Sequence, residues 1–332
     1  MARASVPIHA WIILSAAVIA VSSAGAVLQS IDEIPPLLRM GWRLQATSLV
    51  LFPFALYQWI HLDKNMILSL FSRRNVSILL ASGFCLFLHF ATWGWSLDHT
   101  SLTHSLLFVT AHPLVFVIGA ALIGRPLVKR QSYGALIAFL GASLSLLSIT
   151  EEGEVTLIGD LAAFGGAVAI VGYLMAGREL RSWMPLFLYA FPVTTIAAIL
   201  LTISSMLIES SDWNQLRSIS TFGWVDMIWI PAIAYLAIGP GLIGHTGING
   251  VLKWLPPIVI SVSVLIEPIL GTFIGIMMGT AQYPDIWTLI GGSIILLGLY
   301  LVISAENQLE STDESKSVSP VPIVLTDQNN PL

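Results

Sequence analysis

The stretch SVLIEPILGTFIGIMMG, residues 263–279, is apolar on every side except at Glu267, which stands directly before Pro268. A helix at the surface of a soluble protein keeps one face polar. This one has no such face, so it reads as a helix embedded in lipid whose single carboxylate needs an interior partner. Stretches of the same kind recur nearly end to end. Of 332 residues, 56% are hydrophobic and 10% charged, against roughly 25% charged in an ordinary soluble domain. A hydrocarbon core of roughly 30 Å takes about 20 apolar residues at 1.5 Å each. Ten stretches meet that need: 8–30, 34–60, 76–97, 101–124, 132–149, 156–177, 184–208, 222–250, 256–279 and 284–304. Transmembrane strands would alternate polar and apolar over short segments, whereas ALIAFLGASLSLLSI (135–149) is apolar all round. The fold class is therefore an all-α integral membrane protein of ten transmembrane helices.

Other classes find little support. The one cysteine, Cys85, lies inside the third span and leaves no internal disulfide to form. A net charge of −5 with no basic patch gives no footing for nucleic acid. Arg3, the apolar run after it and Ala24-Gly25-Ala26 also suit a cleavable signal peptide. Retention of the first span is expected, because the repeat described next needs five spans in each half.

With the N-terminus in the cytoplasm, Arg3, Lys64, Arg73, Arg74, Arg125, Lys129, Arg130, Arg178, Arg181, Lys253 and Lys316 fall inside and Arg217 outside. Lys and Arg near short loops resist translocation, so both ends are expected in the cytoplasm, with the plasma membrane as the default location. The tail from 306 to 332, rich in Ser, Asp, Glu and Pro, has no periodicity and is expected to be disordered.

FVTAHPLVFVIGAALIG and LIEPILGTFIGIMMG share a spacing: Pro113 to Gly124 and Pro268 to Gly279 are both 11 residues, offset by 155. Gly134 and Gly141 correspond to Gly291 and Gly298 at an offset of 157. Five spans is an odd number, so a second copy enters the membrane upside down. The loop charges invert with it: Asp98 outside corresponds to Lys253 inside, and the acidic EEGE of 151–154 falls outside. The expected organisation is two inverted-topology five-helix repeats, 1–150 and 151–305, followed by the tail. Such an arrangement lets one chain open a single central site to either side of a membrane.

SLDHTSLTHSLLFVTAHPLVFVIGAALIG in the first half, and GHTGINGVLKWLPPIVISVSVLIEPILGTFIGI with IGGSIILLGLYLV in the second, resemble the core of the drug/metabolite transporter superfamily in its EamA-like branch. Arg43 resembles an arginine often found in the second span there. The resemblance implies ten helices, a central cavity between two bundles, and movement of small organic solutes without nucleotide hydrolysis or a cofactor.

The polar residues inside the spans are the candidate site. Glu267 and its repeat counterpart His112 precede the paired prolines; a charge at that depth costs at least about 2.5 kcal/mol unless it meets a partner, water or a proton. Glu267 is expected to take a proton or a substrate ammonium, with His112 biasing that event; otherwise it caps backbone groups freed by Pro268. Arg39 and Arg43, four apart on one helix face, suit a carboxylate or phosphate, or else lipid headgroups. His89 and Trp93 share a face suited to an amphipathic solute, although Trp93 also fits an interfacial belt. His104 and His112 share a stripe of span four. His245 and Asn249 repeat the four-residue spacing in span eight, where Gly239, Pro240, Gly241, Gly244, Gly247 and Gly250 suit either bending or close packing. Tyr173 adds a ring and a hydroxyl. The paired glycines Gly134/Gly141 and Gly291/Gly298 suit close helix contact, within one chain or between two.

The leading expectation is a secondary transporter of a small organic metabolite, such as an amino acid or related zwitterion, coupled to protons or working by exchange. A divalent-metal carrier using His89, His104, His112, His245 and Glu267 is the alternative, although no compact ligand motif is present. No HExxH, GxSxG or Walker motif supports an intramembrane enzyme or ATP-driven pump, and no signalling domain supports a receptor. The expected partners are a small-molecule substrate and the lipid bilayer; oligomeric state is not legible.

Overall fold

The computed structural model describes residues 6–317 apart from 123, 125–128, 146, 148–154, 212–218 and 256. The EEGE segment, Arg3, Arg125, Arg217 and the last part of the tail lie outside the described residues. Among those described there is no strand. The helices are α1 (Ile8–Ser22), α2 (Ala24–Gln29), α3 (Pro36–Ile60), α4 (Lys64–Leu70), α5 (Arg73–Ser96), α6 (Leu102–Val109), α7 (His112–Leu122) and α8 (Lys129–Ser145). They continue as α9 (Leu157–Arg181), α10 (Leu186–Ile208), α11 (Ile230–Leu236), a π-helical segment (Ala237–Thr246), α12 (Gly247–Val251), α13 (Pro257–Val264), α14 (Glu267–Met278) and α15 (Ile286–Ser317). Among the described residues, five helical stretches are long and apolar enough to cross a membrane: Ile8–Gln29, Arg73–Ser96, Leu102–Gly119, Leu157–Arg181 and Leu186–Ile208.

Two spans read as single helices are broken in the middle, at corresponding places. A proline lacks an N–H and displaces the carbonyl four residues earlier. Four residues before Pro113 is Val109, where α6 ends, and four before Pro268 is Val264, where α13 ends. His112 and Glu267 consequently become the first residues of α7 and α14. At their far ends, Gly124 (φ 70°) and Gly279 (φ 73°) adopt the left-handed conformation that closes a helix and that side chains with a Cβ resist.

Span eight differs more from expectation. Residues Gly223–Val225 form one 3-10 turn, and regular helix begins only at Ile230 before widening into the π segment. Its glycines serve close packing: a Cβ on Gly241 would lie 2.6 Å from Thr47 Oγ1, and one on Gly244 2.6 Å from Val21 Cγ1. The tail also departs from expectation, since α15 runs on through Ser317. Extending an existing helix costs far less than nucleating one, and residues 305–317 hold no proline or glycine to stop it.

The most extensive contacts join α8 with α15, α5 with α9, and α3 with α10; α1 packs on the π segment, α6 on both α9 and α14, and α1 on α14. The α8–α15 contact settles the role of the paired glycines: they meet within the chain. A Cβ on Gly141 would fall 2.6 Å from Ile295 N and 2.8 Å from Gly291 O, and one on Gly298 would fall 2.6 Å from Gly134 O. Backbone therefore touches backbone at this seam. The surface is as apolar as the interior, with Leu49, Leu122, Phe139, Leu161, Leu207 and Phe273 all exposed. A soluble monomer rarely shows so much contiguous apolar area; acyl chains cover it here.

Candidate functional site

Helix pitch puts Arg39 and Arg43 on one face of α3, yet they meet different neighbours. Arg39 is 0% exposed. It donates Nη1–H to Leu28 O at 3.0 Å and pairs through Nη2 with Asp98. This holds α3 to the end of α2 and to the loop after α5, outside the lining of the cavity described next. Removing one member of a buried ion pair strands the other. Arg39→Gln is expected to cost about 3 kcal/mol, the low end of the usual range because the Asp98 side chain is 24% exposed. A melting curve in detergent checks this, and a midpoint equal to the unsubstituted protein's would contradict it.

Arg43, one turn deeper and also buried, projects into the middle of the bundle. Its guanidinium carbon lies 4.7 Å from the centre of the Phe90 ring and 5.7 Å from that of Trp93. Its Nη1 and Nη2 have no hydrogen-bond partner among the described residues. Around it is a cavity with about 590 Å³ of space free of atoms. Arg43, His89, Trp93, His112, Tyr173, His245 and Glu267 line it, with Thr110 and an apolar remainder from Val21, Ala24, Val109, Ile170, Leu174, Ile248, Ile260 and Val264.

Trp93 is buried and lines the cavity instead of the outer surface of the bundle. The His89 ring stacks on it at 6.0 Å, and Nδ1–H of His89 donates to Gly166 O at 2.9 Å, which leaves Nε2 as the ring's remaining polar atom. Trp93 Nε1 and His112 Nδ1, like the two Arg43 nitrogens, are buried without a partner. Buried polar groups are ordinarily satisfied, so several orphaned nitrogens around one hollow make it the candidate binding site.

Glu267 faces the same hollow from the first turn of α14. The N-cap of α14 is Ile266, whose side chain makes no capping hydrogen bond, and Glu267 is the acid of the helix's first turn. Arg43 and Glu267 line the same hollow, and no ion pair joins them among the described residues. The chamber thus carries one guanidinium and one carboxylate, together with the rings of His89, Trp93, His112, Tyr173 and His245 and an apolar remainder.

The remaining candidates lie further off. Asn249 Nδ2–H donates to the Tyr173 hydroxyl at 2.5 Å and stands behind that wall; with His245 and Arg43 it lines a smaller adjoining recess. His104, two turns before His112, is outside the cavity: its Nδ1 meets Asp160 Oδ2 and its Nε2 meets Thr288 Oγ1, both at 2.9 Å. Among the described residues, no three His, Cys, Asp or Glu side chains are grouped as metal ligands. Two participants went unnoticed in the sequence. Phe90, which supports the guanidinium, looks like ordinary apolar filling, and Asp160 looks like an acid placed to suit a helix N-terminus. The signal for Asp160 was its isolation in the apolar run LIGDLAAFGG.

Residues 7–147 match the model of the EamA-like transporter family. The resemblance read from the first half is thus met by an independent comparison. No curated protein matches the chain. A solved crystal structure, described only as that of a protein, superposes with a TM-score of 0.61 at 22% identity, over 91% of this chain and 99% of its own; that likeness concerns the fold alone.

Proposed function

We propose, from the premise that residues 7–147 carry the EamA-like transporter pattern in a multi-pass membrane protein, that the whole chain is a ten-span secondary carrier of small organic solutes. It works by alternating access between two inverted five-span halves, with both ends in the cytoplasm and the plasma membrane as its place. The mirrored contact pattern carries this reading. Exchanging every span for the one five later turns the α5–α9 contact into that of the π segment with α1, turns α7–α9 into α14–α1 and α6–α9 into α13–α1, and returns α3–α10 and α8–α15 to themselves. The matched breaks before His112 and Glu267 and the matched left-handed glycines support the same exchange. Half-helices that begin at mid-depth beside a substrate site are a recurrent feature of such carriers.

The cavity favours a compact solute with an apolar body and opposite charges, an amino acid or related zwitterion. Arg43 offers a carboxylate its two free Nη groups, Glu267 offers an ammonium its carboxylate, and the apolar wall accepts the side chain. Arg39 plays no part, because Asp98 and Leu28 already engage it. A series of isosteres in proteoliposomes tests this: L-leucine, 4-methylpentanoate and 3-methylbutylamine share a body and differ in charge. Leucine is expected to exchange fastest and the amine slowest. Amine exchange in preference to both carboxylates would overturn the role of Arg43, and absence of any exchange would overturn the carrier reading.

A further inference from the structure

At the end of the bundle that carries Asp98, three helices begin side by side, and their first turns meet at a buried His–Asp pair. His104 sits in the first turn of α6, Asp160 in the first turn of α9 and Thr288 in the first turn of α15. Asp160 Oδ2 faces His104 Nδ1 at 2.9 Å, Asp160 Oδ1 accepts from the Thr100 hydroxyl at 2.8 Å, and His104 Nε2 faces Thr288 Oγ1 at 2.9 Å. His104 and Asp160 are 0% exposed. Thr100 and Thr288, by contrast, also line a separate vestibule with about 1020 Å³ of atom-free space. No residue of the central cavity belongs to this vestibule.

We propose that the His104–Asp160 pair is a proton-binding site, loaded from this vestibule through the Thr288 and Thr100 hydroxyls, and distinct from the substrate cavity. The pair holds one proton more or less without stranding a polar atom. With a neutral imidazole, Nδ1–H donates to Asp160 and Nε2 accepts the Thr288 hydroxyl proton. When a proton arrives at Nε2, that nitrogen becomes a donor and the threonine oxygen accepts while its own hydrogen swings away. A hydroxyl is the group that permits this reversal, being donor and acceptor at once. Imidazole is the side chain whose ordinary titration falls between pH 5 and 8. No bond between heavy atoms forms or breaks; the proton comes from vestibule water and returns there.

Among the described residues, the other titratable groups at this end are engaged or face open solvent. Asp98 is held by Arg39. His99 stacks on Trp95 and directs Nδ1 to Trp95 O. Asp285 Oδ1 accepts the Thr288 N–H at 2.7 Å. Tyr283, Asp32 and Glu33 are exposed. On the deeper side α6 packs against α14, whose acid Glu267 belongs to the substrate cavity.

The site's position gives the proton a lever. His104 and Thr100 come from the first half of the chain, whereas Asp160 and Thr288 come from the second, so each of these hydrogen bonds crosses between halves. The Thr156 hydroxyl, donating to His99 O, crosses at the same place. Proton arrival alters the polarity of this clasp, and α6 and α9 lead from it directly to His112 and Tyr173 at the cavity. The inference rests on the carrier reading for its purpose, but the existence of the proton site does not.

The test uses the full chain in lipid nanodiscs with ¹³C,¹⁵N-labelled histidine, the resonance of His104 being identified by its loss in His104→Asn. As the pH is lowered this resonance is expected to move from its neutral-ring to its cationic-ring position, and Asp160→Asn, which keeps the shape of the acid, is expected to alter that response. A His104 signal that does not respond to pH while the protein stays monodisperse overturns the proposal, as does a response unmoved by Asp160→Asn. If Asp160→Asn fails to give a monodisperse protein, Thr288→Val replaces it: loss of the hydroxyl is expected to alter the response, and an unchanged one again overturns the proposal. Failure of the carrier reading would show instead as no leucine-series exchange with the histidine titration intact.

Discussion

Gly141→Ala is expected to unfold this protein or to leave it far less stable, although alanine is the better helix former by about 1 kcal/mol. The sign is decided by what the new methyl meets. It would sit 2.6 Å from Ile295 N and 2.8 Å from Gly291 O, both backbone atoms of α15 that no rotamer change moves aside. Ordinary overpacking costs about 1–3 kcal/mol because side chains yield; here two helices must part along their whole contact. Gly298→Ala meets Ala138 N and Gly134 O and is expected to behave alike. Gly119→Ala is the control, since nothing lies within 4 Å of the added methyl, and it should be neutral or slightly stabilising. Size-exclusion profiles and melting curves of the three variants check the set. A Gly141→Ala protein as stable as the Gly119→Ala one would show that the seam is not as tight as described.

Arg43→Gln should abolish most exchange of L-leucine while leaving the fold intact. Hydrogen bonds to charged groups contribute about 1.5–3 kcal/mol each, and a carboxylate facing the Nη1–Nη2 edge makes two. The expected loss in kcat/KM is therefore roughly a hundredfold or more. Arg43→Lys keeps the charge near Phe90 and Trp93 but loses the planar fork, so its deficit should be smaller yet clear. Because Gln also leaves Glu267 facing no cation, the double variant Arg43→Gln/Glu267→Gln separates the two causes. Recovery of exchange in the double variant would mean that charge balance, not carboxylate binding, is what Arg43 supplies. Monodispersity in each case guards against misreading a folding defect as a binding one.

The helices were legible because lipid demands an apolar sequence over a fixed length; the breaks in spans four and nine were not read, although the carbonyls that Pro113 and Pro268 displace account for them. What spacing alone could not show was partnership. Arg39 and Arg43 look equivalent at four residues apart, but Asp98 and Leu28, which claim the first, arrive from other parts of the chain. His104 and His112 share a stripe, yet two turns of helix carry one to the cavity and the other to Asp160. Residue 267 announced itself because a carboxylate in the middle of a lipid-facing run is costly, whereas Asp160 hid at a helix start where acids are common. The overextended tail shows the opposite error: polar composition was read as loss of order, although an established helix continues cheaply through residues that would not start one.

The π segment of span eight closes its hydrogen-bonded rings over five residues where an α-helix uses four. It is thus wound wider and shorter than its flanks, like a coil spring held compressed. Rewinding to ordinary pitch would lengthen the rod and twist everything beyond Thr246, so that His245 would leave its place beside Phe90 and Tyr173 as Asn249 swung with the inner end. A chamber with one such wall can change its outline by a turn of a screw, without any helix having to tilt.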